Sequence, residues 1–152
     1  MIAIQDFERI RADGKIIDES MTAADMFALG SPEKVIEIKW RSHDGMVSLQ
    51  FPHGVLATVV AGRNFVAINE SDAQGRRSLW VLNSDGKKRL QVSDVQEIGA
   101  KAEVGSYRWF EGARKNAPNV FGVVFERISD KSVFQLDIDA EHGNALAIYP
   151  MR

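Results

Sequence analysis

The sequence contains no cysteine. That removes disulfides, thiolate zinc ligands and cysteine nucleophiles together, and it is compatible with a reducing compartment. A long apolar run is also missing. The longest near-apolar stretch, Val55 to Ala61, is interrupted by Thr58 and falls far short of the roughly 20 residues a membrane-spanning helix needs. The opening residues Met1-Ile2-Ala3-Ile4-Gln5-Asp6-Phe7-Glu8 carry neither the basic leader nor the apolar stretch of a secretory signal, so a cytoplasmic protein without a membrane partner is expected. No single sign of charge dominates: 19 Lys and Arg stand against 21 Asp and Glu, a net of −2. That balance argues against a dedicated nucleic-acid binder, because neutralising phosphates takes clustered cations.

The remaining composition is that of one globular domain. A chain of 152 residues, 45% hydrophobic and 26% charged, can bury a real core, whereas two domains would each be small. The charge is unevenly spread. Residues 1–33 hold seven acids and three bases, and residues 63–115 hold ten bases and seven acids. Two faces of opposite sign follow if the fold keeps these stretches apart.

Period-two alternation recurs along the chain. Ile36, Ile38 and Trp40 alternate with Glu37, Lys39 and Arg41, and Val47, Leu49 and Phe51 alternate after His43-Asp44-Gly45. Asp-Gly pairs, which supply the positive φ of tight hairpins, occur at 13–14, 44–45 and 85–86. Looser turns are expected at Asp72–Gly75, Ser129–Lys131 and Glu141–Asn144. Val55–Val60 and Val120–Phe125 are apolar at consecutive positions, as in strands covered on both faces. Helix is confined to Thr22–Leu29, with Thr22 and Asp25 in capping-box positions and Gly30-Ser31-Pro32 as a stop; a short helical turn is possible at Asp94–Ile98. Gly99 to Gly105 reads as the one long connection. The fold class expected is mainly β, borderline α+β: antiparallel hairpins and meanders in one or two packed sheets, with one short helix near the N-terminus. Segments 65–92 and 121–148 each read as a three-stranded meander with Ser-x-aromatic-x-Leu in the second strand. Duplication and convergent strand patterning both account for that likeness.

Residues that could carry chemistry are few. His43, His53 and His142 all lie in turn contexts, with no zinc-binding spacing; His43 and His53 could meet across a hairpin. Asp137, Asp139 and Glu141 alternate like a calcium loop, but His142 and Ile148 occupy the positions that require Gly and a bidentate Glu. Phosphate-cradling glycine loops are absent. Arg76-Arg77 and Lys87-Lys88-Arg89 flank the strand Ser78–Asn83, about 20 Å apart at the rise of an extended strand, and read as solubilising charge. The segment Tyr107–Asn119 interleaves aromatics with Arg and runs into a polar, basic loop, a composition that carries binding energy at protein interfaces. It could instead turn Tyr107 and Trp109 to the core and Phe110 away from it. Either way Arg108, Arg114, Lys115 and Asn116 stay exposed.

With Tyr107-Arg108-Trp109-Phe110-Glu111 before it, the pattern Phe121–Phe125, Phe134–Ala140 and Ala147–Arg152 resembles small β-rich proteobacterial immunity proteins of contact-dependent growth inhibition and other polymorphic toxin systems. The resemblance implies a cytoplasmic, non-enzymatic binder that occludes the active site of a cognate toxin. Many such toxins are basic nucleases, and acids would steer their binding. The acids in question are Asp6, Glu8, Asp13, Asp18 and Glu19, with Asp137, Asp139 and Glu141 in the C-terminal turn. This reading expects no catalytic residue, cofactor or metal, and a monomer or weak homodimer. Two rivals stand beside it: a small hydrolase or nuclease using His43 and His53, and a structural or accessory module of a phage or secretion system.

Overall fold

The computed structural model describes residues 3–151, which form three antiparallel sheets and one short helix. The first sheet consists of β1 (Gln5–Arg11), β2 (Ile16–Asp18), β3 (Val35–Ser42) and β4 (Gly45–Gln50), in the order β2-β1-β3-β4. The middle sheet is a simple meander of β5 (Val55–Val59), β6 (Phe65–Ser71), β7 (Arg77–Asn83) and β8 (Lys88–Gln91). The third is also a meander: β9 (Val95–Ile98), β10 (Lys101–Glu111), β11 (Val120–Arg127), β12 (Val133–Asp139) and β13 (Ala145–Pro150).

Two cores separate these layers, and residue parity in the middle sheet decides which side chain enters which. Val66, Ile68 and Leu82 face the first sheet, meeting Phe7, Ile38 and Trp40. Ala67, Leu79 and Val81 point the opposite way, into a core with Tyr107, Phe121, Phe125 and Leu136 of the third sheet. A strand that alternates in a two-layer protein becomes apolar at consecutive positions when both of its faces are covered. The expectation of one or two packed sheets is therefore corrected to three. Polar anchors tie the layers together. Trp40 is fully buried and donates its indole N–H to the Ser84 carbonyl at 2.7 Å, and the Asn69 amide donates to the Tyr107 carbonyl at 3.0 Å.

Turn chemistry fixes the hairpins. Gly86 shows the requirement most directly: its φ is 88°, and a Cβ there would lie 2.6 Å from Val47 Cγ1 across the first core. The helix α1 (Ala23–Phe27) is shorter than the 22–29 span expected, although its capping box is complete. The Asp25 N–H donates to the Thr22 hydroxyl, and the Thr22 N–H donates to the Asp25 carboxylate.

Three further expectations change. Asp94–Ile98 holds no helical turn; Val95–Ile98 is a strand paired with β10. Gly99 to Gly105 is not a long connection, because Gly99 and Ala100 both take positive φ and close a tight hairpin before β10 begins at Lys101. The long connection lies instead at residues 112–119. Val55–Val59, expected to be covered on both faces, buries Val55 and Ala57 on one face but leaves Leu56 on the other 38% exposed, and it forms an edge of the middle sheet. The segments 65–92 and 121–148 do form meanders, β6–β8 and β11–β13, which face each other across the second core. Among the described residues no helix is long and apolar enough to cross a membrane.

Candidate functional site

A β-bulge shapes the aromatic segment. Tyr107 pairs with Phe125 and Phe110 with Val123, so Arg108 and Trp109 together face a single residue of β11. The extra residue breaks strict alternation. Tyr107 and Phe110 both turn inward, where Phe110 packs edge-on against Phe121, while Arg108 and Trp109 both point out. The alternative that buried Trp109 and exposed Phe110 is corrected for this reason. Trp109 is 46% exposed and donates its indole N–H to Glu111 at 2.7 Å, and the Arg108 carbonyl accepts from the Arg77 guanidinium at 2.8 Å.

Past Glu111 the chain folds back over the outer face of β11 and β12. Gly122 permits the approach, since a Cβ there would lie 2.6 Å from the Glu111 carbonyl oxygen. Gln135 donates to the Gly112 carbonyl, and the Arg114 guanidinium stacks 4.4 Å from the Tyr149 ring centroid. Asp137 is fully buried, and its carboxylate accepts the N–H groups of Arg114 and Lys115. It positions the loop and cannot touch a partner, so its place among the contact candidates is corrected. Arg114, Lys115 and Asn116 are exposed, as expected.

The acids of the N-terminal third divide. Asp6, Glu8, Asp18 and Glu19 line one cleft of about 600 Å³ on the first sheet, together with Arg41 and Met46. Asp6 pairs with Arg41 at 3.0 Å, and both Glu19 oxygens accept from the Arg63 guanidinium at 2.7 and 2.9 Å. Asp13 lies at the far end of β1, paired with Arg11. Asp139 and Glu141 are held within their own corner: Asp139 by His142 at 2.7 Å, Glu141 by the Asn119 amide at 2.8 Å. Partial burial disfavours the Asp139 carboxylate, but the hydrogen bonds from His142 and the Glu141 N–H outweigh it and hold its pKa below the ordinary value. The histidines are not brought together. His43 and His53 sit in exposed turns at opposite ends of β4. Among the described residues no cluster of His, Asp and Glu could hold a metal ion.

The edge strand β5 joins the acidic and basic groups. On its first-sheet side lies a cleft of about 320 Å³ lined by Arg9, Ile17, Asp18, Glu19 and Arg63. On its third-sheet side lies another of about 300 Å³, lined by Gly112, Ala113, Lys115, Asn116 and Ala117. Thr58 and Val59 border both clefts. The result is a groove with β5 as its floor, an acidic lip at Asp18 and Glu19, and a basic lip at Lys115.

The sequence reading missed Arg9, Thr58 and Arg63. Arg9 pairs with Ile38 and so shares its inward parity; the signal available was a cation at an apolar-face position after Phe7. It is half-buried and has no carboxylate or hydrogen-bond partner among the described residues, and burial lowers its pKa from the ordinary guanidinium value. A guanidinium remains charged regardless.

No protein-family model matches the chain, and no curated protein does. A solved structure does: a chain from the structure of Tne2 in complex with Tni2 superposes with a TM-score of 0.91 and 39% sequence identity, over 98% of this chain and 99% of that one.

Proposed function

We infer, since the chain belongs to the immunity-protein family represented in the Tne2–Tni2 complex, that it neutralises a cognate toxin by binding it. The near-complete match to one chain of that structure, at 39% identity, carries this reading. We further propose that the protein performs no reaction of its own and works in the bacterial cytoplasm, within a contact-dependent or other polymorphic toxin system. The groove around β5 is the surface we assign to the toxin. Its acidic lip, with Asp6 and Glu8 on the adjoining first-sheet face, suits a toxin surface rich in Lys and Arg and would speed encounter. Arg108, Trp109 and the loop carrying Lys115 and Asn116 supply the residue types that anchor interfaces. Engaging the toxin there would occlude its active site.

The hydrolase reading is not favoured, because the exposed His43 and His53 lie at opposite ends of β4. Co-expression with the product of the adjacent gene tests the proposal. A stable complex on gel filtration and rescue of growth are expected; the absence of both at micromolar protein would sink it.

A further inference from the structure

We propose that the free edge of β5 receives an extended segment of the toxin as an added strand of the middle sheet, with one carboxylate side chain of that segment bound by Arg9. This rests on the immunity reading and specifies how the toxin is held.

Backbone geometry identifies the open side. Val60 N–H donates to the Phe65 carbonyl at 2.9 Å, and Ser71 N–H donates to the Gly54 carbonyl at 3.0 Å. These two bonds place residues 54 and 60, and with them Leu56 and Thr58, in the hydrogen-bonded pairs of the β5–β6 ladder. Antiparallel alternation then turns the N–H and C=O of Val55, Ala57 and Val59 to the opposite side. Among the described residues no strand pairs with β5 there. Proteins that leave an edge open usually blunt it with charge, proline or a bulge. Val55-Leu56-Ala57-Thr58-Val59 has none of these, and its residues suit a strand.

The two clefts give an added strand places for its side chains. Successive residues of a strand point to opposite faces, so they would enter the Arg9 cleft and the Lys115 cleft in turn. Arg9 specifies the chemistry. Arg63 is committed to Glu19, and Arg11 to Asp13. Among the described residues Arg9 has no such counter-charge, and a carboxylate is the planar bidentate acceptor that a guanidinium fits. A second copy of this chain pairing through β5 would bring only Val, Leu, Ala and Thr to the groove and leave Arg9 unmatched.

The test is residue-resolved hydrogen exchange on the full chain, alone and saturated with the product of the adjacent gene. The Ala57 and Val59 amides are expected to exchange about a hundredfold slower in the complex. Arg9→Gln is expected to weaken the complex about tenfold or more, as loss of a charge-assisted contact does. Ala57→Pro removes an N–H that bonds nothing among the described residues and should weaken binding similarly; the exchange data decide the matter even if that variant folds poorly. Unchanged exchange at both amides in a formed complex, with Arg9→Gln binding as tightly as the parent, overturns the proposal while leaving the immunity reading intact. Protection that rises with concentration in the free chain would assign the edge to self-association and overturn it too. Failure of the parent chain to form any complex overturns the immunity reading first.

Discussion

The Lys115 N–H donates to the buried carboxylate of Asp137 at 2.8 Å, across 22 residues of sequence. Arg114 donates to the second oxygen at 3.1 Å, so one side chain in the middle of β12 secures the basic lip of the groove. Asp137→Ala leaves two N–H groups without acceptors and is expected to cost about 2–4 kcal/mol, read from urea unfolding midpoints. Asp137→Asn should cost less, because its amide oxygen still accepts one of the two bonds. A loss below about 0.5 kcal/mol for the alanine variant would show that the loop is held by other contacts.

Asp137 also marks where sequence reading stops. Period-two alternation puts Asp137 on the face opposite Leu136 and Ile138, where a carboxylate is expected to meet solvent. Nothing local says that residues 112–119 return over that face, because the enabling feature is a missing Cβ at Gly122 on a different strand. The hairpins were legible because Asp-Gly turns and period-two patterning are local. Asp94–Ile98 and Gly99–Gly105 were misread because a strand pairing next to a two-residue turn looks like a connection until its partner is known. The bulge at Arg108-Trp109 was invisible for the same reason: it is a relationship between β10 and β11. The acids and the basic loop were both picked out, but their meeting around β5 depends on three-layer packing that no single segment encodes.

Tyr107 makes stability pH-dependent at the alkaline end. Burial raises its pKa well above the ordinary value of about 10, with the hydrogen bond from Gln96 opposing and the nearby Asp94 charge adding to the rise. The folded state thus retains the hydroxyl proton longer than the unfolded chain does. The stability this confers is complete below about pH 10 and falls as pH rises beyond it. Tyr107→Phe should flatten that limb. At neutral pH the variant loses the 2.6 Å bond to the Ser93 carbonyl and the 2.8 Å bond from Gln96, at a cost of about 1–2 kcal/mol. Thermal unfolding between pH 7 and 11 checks both parts; parallel curves for the two proteins would count against this assignment.

Asp6 and Glu8 lie on the outer face of the first sheet, beside the groove rather than in it. Charges so placed govern encounter more than residence. Asp6→Lys with Glu8→Lys is expected to lower the association rate about tenfold at low salt and to reduce its salt dependence, with little change in the dissociation rate. Stopped-flow mixing with the toxin at two ionic strengths measures this. An effect confined to dissociation would move these acids from the approach path into the interface.

Trp109 is the sharpest separation of binding from folding. The bulge places its ring outside both cores, 46% exposed, and among the described residues its only side-chain bond is to Glu111 at the surface. Truncation therefore removes little that the fold uses, and Trp109→Ala should leave stability within about 0.5 kcal/mol of the parent. An exposed Trp flanked by Arg108 and the basic loop is the residue type that dominates interface energetics, so the same change should weaken the toxin complex about thirtyfold or more. Its neighbour in sequence, turned to the opposite face, offers the control. Phe110→Ala removes a ring packed on Phe121 in the second core and should cost about 2–4 kcal/mol of stability. If Trp109→Ala unfolds the protein while Phe110→Ala does not, the parity assigned to the bulge is reversed. If both fold and bind as the parent does, the toxin contacts another face.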